Sequence, residues 1–186
     1  MNTKLYLIRH CQATGQEPDA VLTADGARQA GRLADFLNDA GIERIVSSPF
    51  ARAIQSIEPL AHRLRLEITT DPRLQERVLS SSQLSNWREH LRQTFDDLDL
   101  RFPGGESSRE AMQRGSAAVQ AILDQKPMGA TAIISHGNLL TLLLKHFAET
   151  IGFAAWESMT TPDVFCVQLV EADASITRIW QPGSKI

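Results

Sequence analysis

Leu5-Tyr6-Leu7-Ile8 is an unbroken apolar run, mostly of β-forming residues, that stops abruptly at Arg9-His10. A run of this length predicts a short strand buried on both faces. Residues 42–46 and 131–135 repeat the pattern, and a third short strand is expected at 66–69. Helical spacing fills the intervals. Ala27, Ala30, Leu33, Ala34 and Leu37 follow Thr23 as N-cap, with Gly41 as the closing glycine. Ile54, Ile57, Leu60, Ala61 and Leu64 mark a second helix, in which Pro59 predicts a kink. Leu84, Trp87, Leu91, Phe95 and Leu98 mark a third, with Trp87 and Phe95 read as core. Ser107 and Glu110 form a capping box that opens a fourth helix, ending near Leu123. Leu140, Leu143, Leu144 and Phe147 place a fifth against the sheet. Residues 164–170 and 176–180 read as a closing hairpin joined across Asp173-Ala174-Ser175. Strands alternating with helices predict an α/β fold. It should be a three-layer α/β/α sandwich with a mostly parallel central sheet and an antiparallel edge strand.

Composition narrows the possibilities. The 186 residues fit one domain over 1–186, with residues 79–106 expected as a lid or cap. A net charge of -3 argues against nucleic-acid binding, and no apolar run reaches membrane-spanning length. The N-terminus enters a strand directly, without a signal-peptide pattern. Two cysteines, Cys11 and Cys166, are too few for a disulfide framework and suit a cytoplasmic protein. His62, His90 and His146 lie in helical patterns without metal-ligand spacing, so neither metal nor other cofactor is expected. Neither cysteine has an arginine six residues on, which excludes the cysteine-phosphatase loop, and no P-loop is present. Asp97-Leu98-Asp99 follows a helix rather than a strand, against an aspartyl-phosphate site.

The strand ends carry the chemistry. Two end in histidine, at His10 and His136, and a third runs through Ser47-Ser48-Pro49 to Arg52. Ligand groups in parallel α/β sheets gather beyond the carboxyl ends of strands. An isolated Arg-His pair is an ordinary charged strand end; the set is what matters. Two guanidinium groups and two imidazoles at one sheet edge suit a phosphoryl group, whose oxygens guanidinium binds through charge-assisted hydrogen bonds. Phosphoryl transfer asks a protein mainly for positioning and charge stabilisation.

Leu7-Ile8-Arg9-His10-Cys11, the stretch from Ser47 to Ser56, Leu74-Gln75-Glu76-Arg77, Pro103-Gly104-Gly105-Glu106-Ser107 and Ser135-His136-Gly137 together resemble the histidine phosphatase superfamily, also called phosphoglycerate-mutase-like. The resemblance implies a phosphohistidine mechanism. His10 would be the nucleophile, with Arg9, Arg52, His136 and Gly137 at the phosphoryl oxygens. Glu76 would protonate the leaving group and then activate water. His10 would need a neutral ring nitrogen, its other nitrogen tied to backbone. Glu76 would need to carry a proton part of the time near neutral pH, which calls for partial burial or a nearby anion. Cys11, Gln12, Thr14 and Glu106 are placed at the substrate pocket, Glu106 being the rival carboxylate with a structural or rim role favoured. Arg77, Arg88 and Arg92 are default solvated charges that could attract an anionic substrate tail.

The expected activity is metal-independent hydrolysis of a small phosphorylated metabolite by a monomer or homodimer. The alternatives are a mutase and a protein that binds phosphorylated ligands without turnover. Two features depart from the family pattern. Cys11 replaces the usual glycine, which would be strained if the position needs positive φ. The asparagine common a few residues later in mutase-type members is missing from Gln12-Ala13-Thr14-Gly15-Gln16-Glu17.

Overall fold

The computed structural model describes residues 2–171 and 173–181. The strands are β1 (Asn2–Arg9), β2 (Ile42–Ser47), β3 (Ile68–Thr70), β4 (Ala130–Ser135), β5 (Asp163–Val170) and β6 (Asp173–Arg178). The helices are α1 (Ala24–Leu37), α2 (Ala51–Leu64), α3 (Trp87–Asp96), α4 (Ser108–Asp124), α5 (Gly137–Phe147) and α6 (Phe153–Ser158), with a 3₁₀ turn at Pro72–Leu74. They form one six-stranded sheet in the order β3-β2-β4-β1-β5-β6. The β2–β3, β2–β4 and β1–β4 pairings are parallel, and β5 runs antiparallel to both β1 and β6. The reversed strand is therefore second from the edge, and β6 forms the edge itself.

The alternation of β1 shows how the layers arise. Leu5 and Leu7 pack on one face with Ala118, Leu139 and Leu143 of α4 and α5. Tyr6 and Ile8 pack on the other with Leu33, Ile57 and Leu60 of α1 and α2. Successive strand side chains point to opposite faces, so a continuously apolar strand must be covered twice. Helices on both faces do so.

Several local expectations are met, others corrected. Thr23 caps α1 by accepting from the Gly26 N–H at 2.9 Å. Ser107 and Glu110 form the capping box of α4. Gly41, at φ +69°, lies beyond the Asn38 C-cap of α1 and shapes the turn into β2. α2 continues through Pro59 to Leu64 and closes on Arg65 in the left-handed region. The hairpin is tighter than expected, since Asp173, Ala174 and Ser175 are already paired in β6. α3 is shorter than its apolar stripe, beginning only after Asn86 at φ 60°. Phe95 is core, but Trp87 is 53% exposed. Among the described residues no helix is long and apolar enough to cross a membrane.

Candidate active site

Three parallel strand ends are lashed together at the carboxyl edge of the sheet. The His10 N–H donates to the Ser135 carbonyl at 3.1 Å, and the Ser48 N–H to the Ile134 carbonyl at 2.9 Å. His10, Arg52 and His136 thereby converge, each at most 7% exposed. The His10 and His136 rings meet edge to face with centroids 5.1 Å apart.

His10 Nδ1 lies 2.6 Å from the Cys11 carbonyl oxygen. A carbonyl can only accept, so Nδ1 carries the proton and Nε2 keeps its lone pair. Arg52 Nε donates to that nitrogen at 3.2 Å. Burial pushes the imidazole pKa down to about 4, the Cys11 carbonyl opposes this, and the charges of Arg52 and Arg9 add to the depression. The ring is neutral throughout the physiological range.

Arg52 enters from the first turn of α2. Its Nη1 donates to the carbonyls of Gln16 and Glu17, at 3.0 and 2.8 Å, and its guanidinium lies 4.9 Å from the Phe50 ring centroid. Arg9 donates through Nη1 to the Met159 carbonyl at 3.0 Å. Gly137 makes room for it, because a Cβ there would sit 3.1 Å from the guanidinium carbon. Burial lowers the pKa of both arginines; Glu76 opposes this at each, joined by Asp163 at Arg9 and Glu17 at Arg52.

His136 is held through Nε2, 2.7 Å from the Ser48 hydroxyl. Burial, then the charges of its neighbours, hold its pKa well below the usual histidine value. Its Nδ1 and the Nε of Arg9 are buried polar atoms without a hydrogen-bond partner. Buried polar groups are almost always paired, so these two nitrogens of the cluster are left open to a further hydrogen-bond partner. Glu76 stands at the N-terminus of α5. Its carboxylate accepts from the N–H groups of Arg77, Leu139 and Asn138, at 2.9, 3.0 and 3.1 Å. Helix N-termini favour such acceptors.

Not every residue expected at the pocket is there. Cys11 is fully buried in the core against α1 and α2, away from solvent, and burial pushes its thiol up to about 11. It is not among the described residues with positive φ, so the condition under which a cysteine would be strained is not met. Gln12 instead accepts from the Thr23 N–H beside the cap of α1, and its own N–H donates to Gln29. Thr14 ties its loop through two bonds to the Val21 carbonyl. Glu106 is taken up by Arg114, which donates to both its oxygens at 3.0 and 2.5 Å. Arg77 is 4% exposed and binds the Glu106 carbonyl, Thr94 and Ser108. Arg88 pairs with Glu157, and Arg92 with Glu89 and Asp96.

Other residues join the site unforeseen. Ser48, present in the Ser-Ser-Pro motif but given no role, orients His136. Ser56, one turn beyond Arg52, accepts from the Cys11 N–H at 2.8 Å and donates to the Arg52 carbonyl at 2.6 Å, fixing the turn after His10. Buried Asp163 is held by Arg178 and accepts from the Thr160 N–H, bracing the segment whose Met159 carbonyl takes Arg9. No local pattern signals that residue.

The chain is similar in sequence and in fold to known proteins. A probable phosphoglycerate mutase, GpmB, from Proteus mirabilis is 33% identical over 159 residues, covering 76% of this chain and 73% of that protein. Its Shigella dysenteriae counterpart is 30% identical over 170 residues, covering 82% and 77%. Among solved structures, a mycobacterial glucosyl-3-phosphoglycerate phosphatase superposes with a TM-score of 0.80 at 21% identity, covering 95% of this chain and 98% of that one. The latter likeness is one of fold. The family model for the histidine phosphatase superfamily, branch 1, matches residues 5–180, and to that superfamily this chain belongs.

Proposed function

We propose that the protein is a metal-independent phosphatase that hydrolyses a small phosphomonoester through a phosphohistidine on His10. The observation that carries this reading is the fixed tautomer of His10. A neutral Nε2 lone pair, held by the Cys11 carbonyl behind it, faces a cluster of two guanidinium groups. Arg9 and Arg52 supply positive charge at the phosphoryl oxygens, the part a metal ion would otherwise play.

His10 Nε2 attacks phosphorus in line, and the P–O bond to the alcohol breaks. The departing oxygen takes a proton from Glu76, and the phosphoryl group stays on Nε2. Glu76, now a carboxylate, accepts a proton from water as the water oxygen attacks phosphorus. The N–P bond then breaks, releasing phosphate and returning the lone pair to Nε2. Arg9 and Arg52 balance the charge on the oxygens at each transfer.

The names of the sequence relatives support a second reading, a mutase, in which a phosphorylated donor primes His10 and little phosphate is released. The test is hydrolysis of an aryl phosphate with chelator present, in the wild type and in His10→Ala. Chelator-resistant release that drops by about 10⁵-fold or more in the variant is expected. A folded wild type that releases no phosphate, yet is labelled at His10 by a phosphorylated metabolite, would favour the mutase.

A further inference from the structure

Resting on the hydrolase reading, we infer that the alcohol released from the substrate is uncharged and carries an apolar body the size of a ring, and that anionic alcohols such as a phosphoglycerate are selected against. A cavity of about 670 Å³ opens from the phosphate cluster, joined to it through Arg52 and Glu76. Its apolar walls are Pro18, Phe50, Val78, Leu79, Leu84 and Trp87. Val78 and Trp87 are 51% and 53% exposed, large apolar surfaces that an apolar ligand would cover.

The charges point the same way. Two cations line the cavity, Arg52 and Arg77. Arg52 bonds His10 and the carbonyls of Gln16 and Glu17, and in the proposed reaction its charge is taken up by the phosphoryl oxygens. Arg77 is buried, its three guanidinium nitrogens directed at the Glu106 carbonyl, Thr94 and Ser108. Arg88 and Arg92 line a separate depression and are paired with carboxylates, and Arg101 pairs with Glu110. Glu17 also lines the cavity, its carboxylate accepting from the Gln16 N–H. A second anionic group on the substrate would lose water, meet like charge and find no free cation among the described lining residues.

The test compares 2-phenylethyl phosphate with 3-phosphoglycerate, both primary alkyl esters, by phosphate release at fixed ionic strength. A kcat/KM higher by about 30-fold or more for the phenylethyl ester is expected, the scale on which an apolar pocket discriminates. Val78→Arg places a cation on the cavity wall without touching the phosphate cluster. It should raise kcat/KM for 3-phosphoglycerate by about tenfold, the gain of one modest charge contact, and lower it for the phenylethyl ester. Equal or faster turnover of 3-phosphoglycerate by the wild type, still lost in His10→Ala, overturns this inference and leaves the phosphatase reading standing. Release from neither ester, nor from the aryl phosphate, overturns the phosphatase reading and this inference with it.

Discussion

The two sides of the cleft are built on different principles. On the phosphate side, His10, His136, Ser48 and Ser135 are buried at the ends of three paired strands, and Arg52 is buried in the first turn of α2. Backbone sets their positions, and side-chain bonds such as Ser48 to His136 set their orientations. On the other side, residues 78–86 form no regular element before α3 begins, and Val78 and Trp87 stand half in solvent. That side is held at its base by Arg77, and by the Ser81 N–H donating to the Pro103 carbonyl at 3.0 Å. In the proposed reaction the phosphoryl group is the same in every substrate, so the groups that would bind it can be rigid. The alcohol differs, and the surface that meets it is under weaker structural constraint.

Substitution of Arg52 tests the rigid side most severely. Arg52→Lys keeps a positive charge but loses the planar fork that reaches His10 Nε2 and two loop carbonyls together. We expect kcat/KM to fall by about 10³-fold. The fall should be similar for aryl and alkyl phosphates, because the phosphoryl group is common to both. A loss confined to one class of ester would break the division between the two sides.

Glu76 stands where the sides meet, and its substitution should discriminate. Glu76→Gln removes the proton donor but keeps a group that can accept N–H bonds from α5. Turnover of alkyl phosphates, whose alcohols leave poorly without a proton, should fall by about 10² to 10³-fold. For 4-nitrophenyl phosphate, whose leaving group is stable as an anion, the fall should be several-fold at most. A plot of log kcat/KM against leaving-group pKa would be steeper in the variant. Equal losses across the series would remove Glu76 from the role of acid.

Burial on the phosphate side also links its chemistry to stability. His10 titrates near 4 when folded and near the ordinary 6.5 when unfolded. Between these values the unfolded chain binds more protons, so stability is fully present above pH 6.5 and declines as pH falls to about 4. The span corresponds to a loss on the order of 3 kcal/mol, and His136, depressed in the same direction, adds to it. Urea unfolding at pH 7 and pH 4.5 should show a smaller loss in His10→Gln than in the wild type. An equal loss in the two proteins would mean that His10 is not held neutral.

The same contrast explains what was legible in the sequence. At the strand ends, the signals for structure and chemistry coincide: an apolar run names the strand, and the polar residue ending it names the site. His10, Arg52 and His136 could be placed together for that reason. On the opposite side of the cleft the signals separate. The stripe from Leu84 to Leu98 suggests a longer helix than forms, because Asn86 at φ 60° interrupts the chain and leaves Trp87 turned outward. α6 escaped notice because six residues are too few for a periodic pattern, although Phe153 and Trp156 pack partly buried against the core. The roles of Asp163 and Glu106 depend on Arg178 and Arg114, partners that only the folded chain identifies. Tertiary pairing of this kind leaves no local pattern.

Cys11 gives the smallest expected effect and separates proximity from participation. It follows His10 directly, yet its side chain belongs to the core against α1 and α2. Its link to the site is the backbone: its carbonyl fixes the His10 tautomer and its N–H is held by Ser56. Cys11→Ala keeps both backbone groups and removes one buried sulfur. Stability should fall by about 1 kcal/mol, read from the urea midpoint, as for other small deletions from a packed core. kcat/KM should stay within about twofold, since the variant removes no contact to a reacting group. The native thiol, buried and with its pKa pushed up to about 11, should also resist iodoacetamide at pH 8 until the protein is unfolded. A large loss of turnover in Cys11→Ala at undiminished stability would mean that the sulfur itself acts on the reaction, and the boundary between core and site would have to move past residue 11.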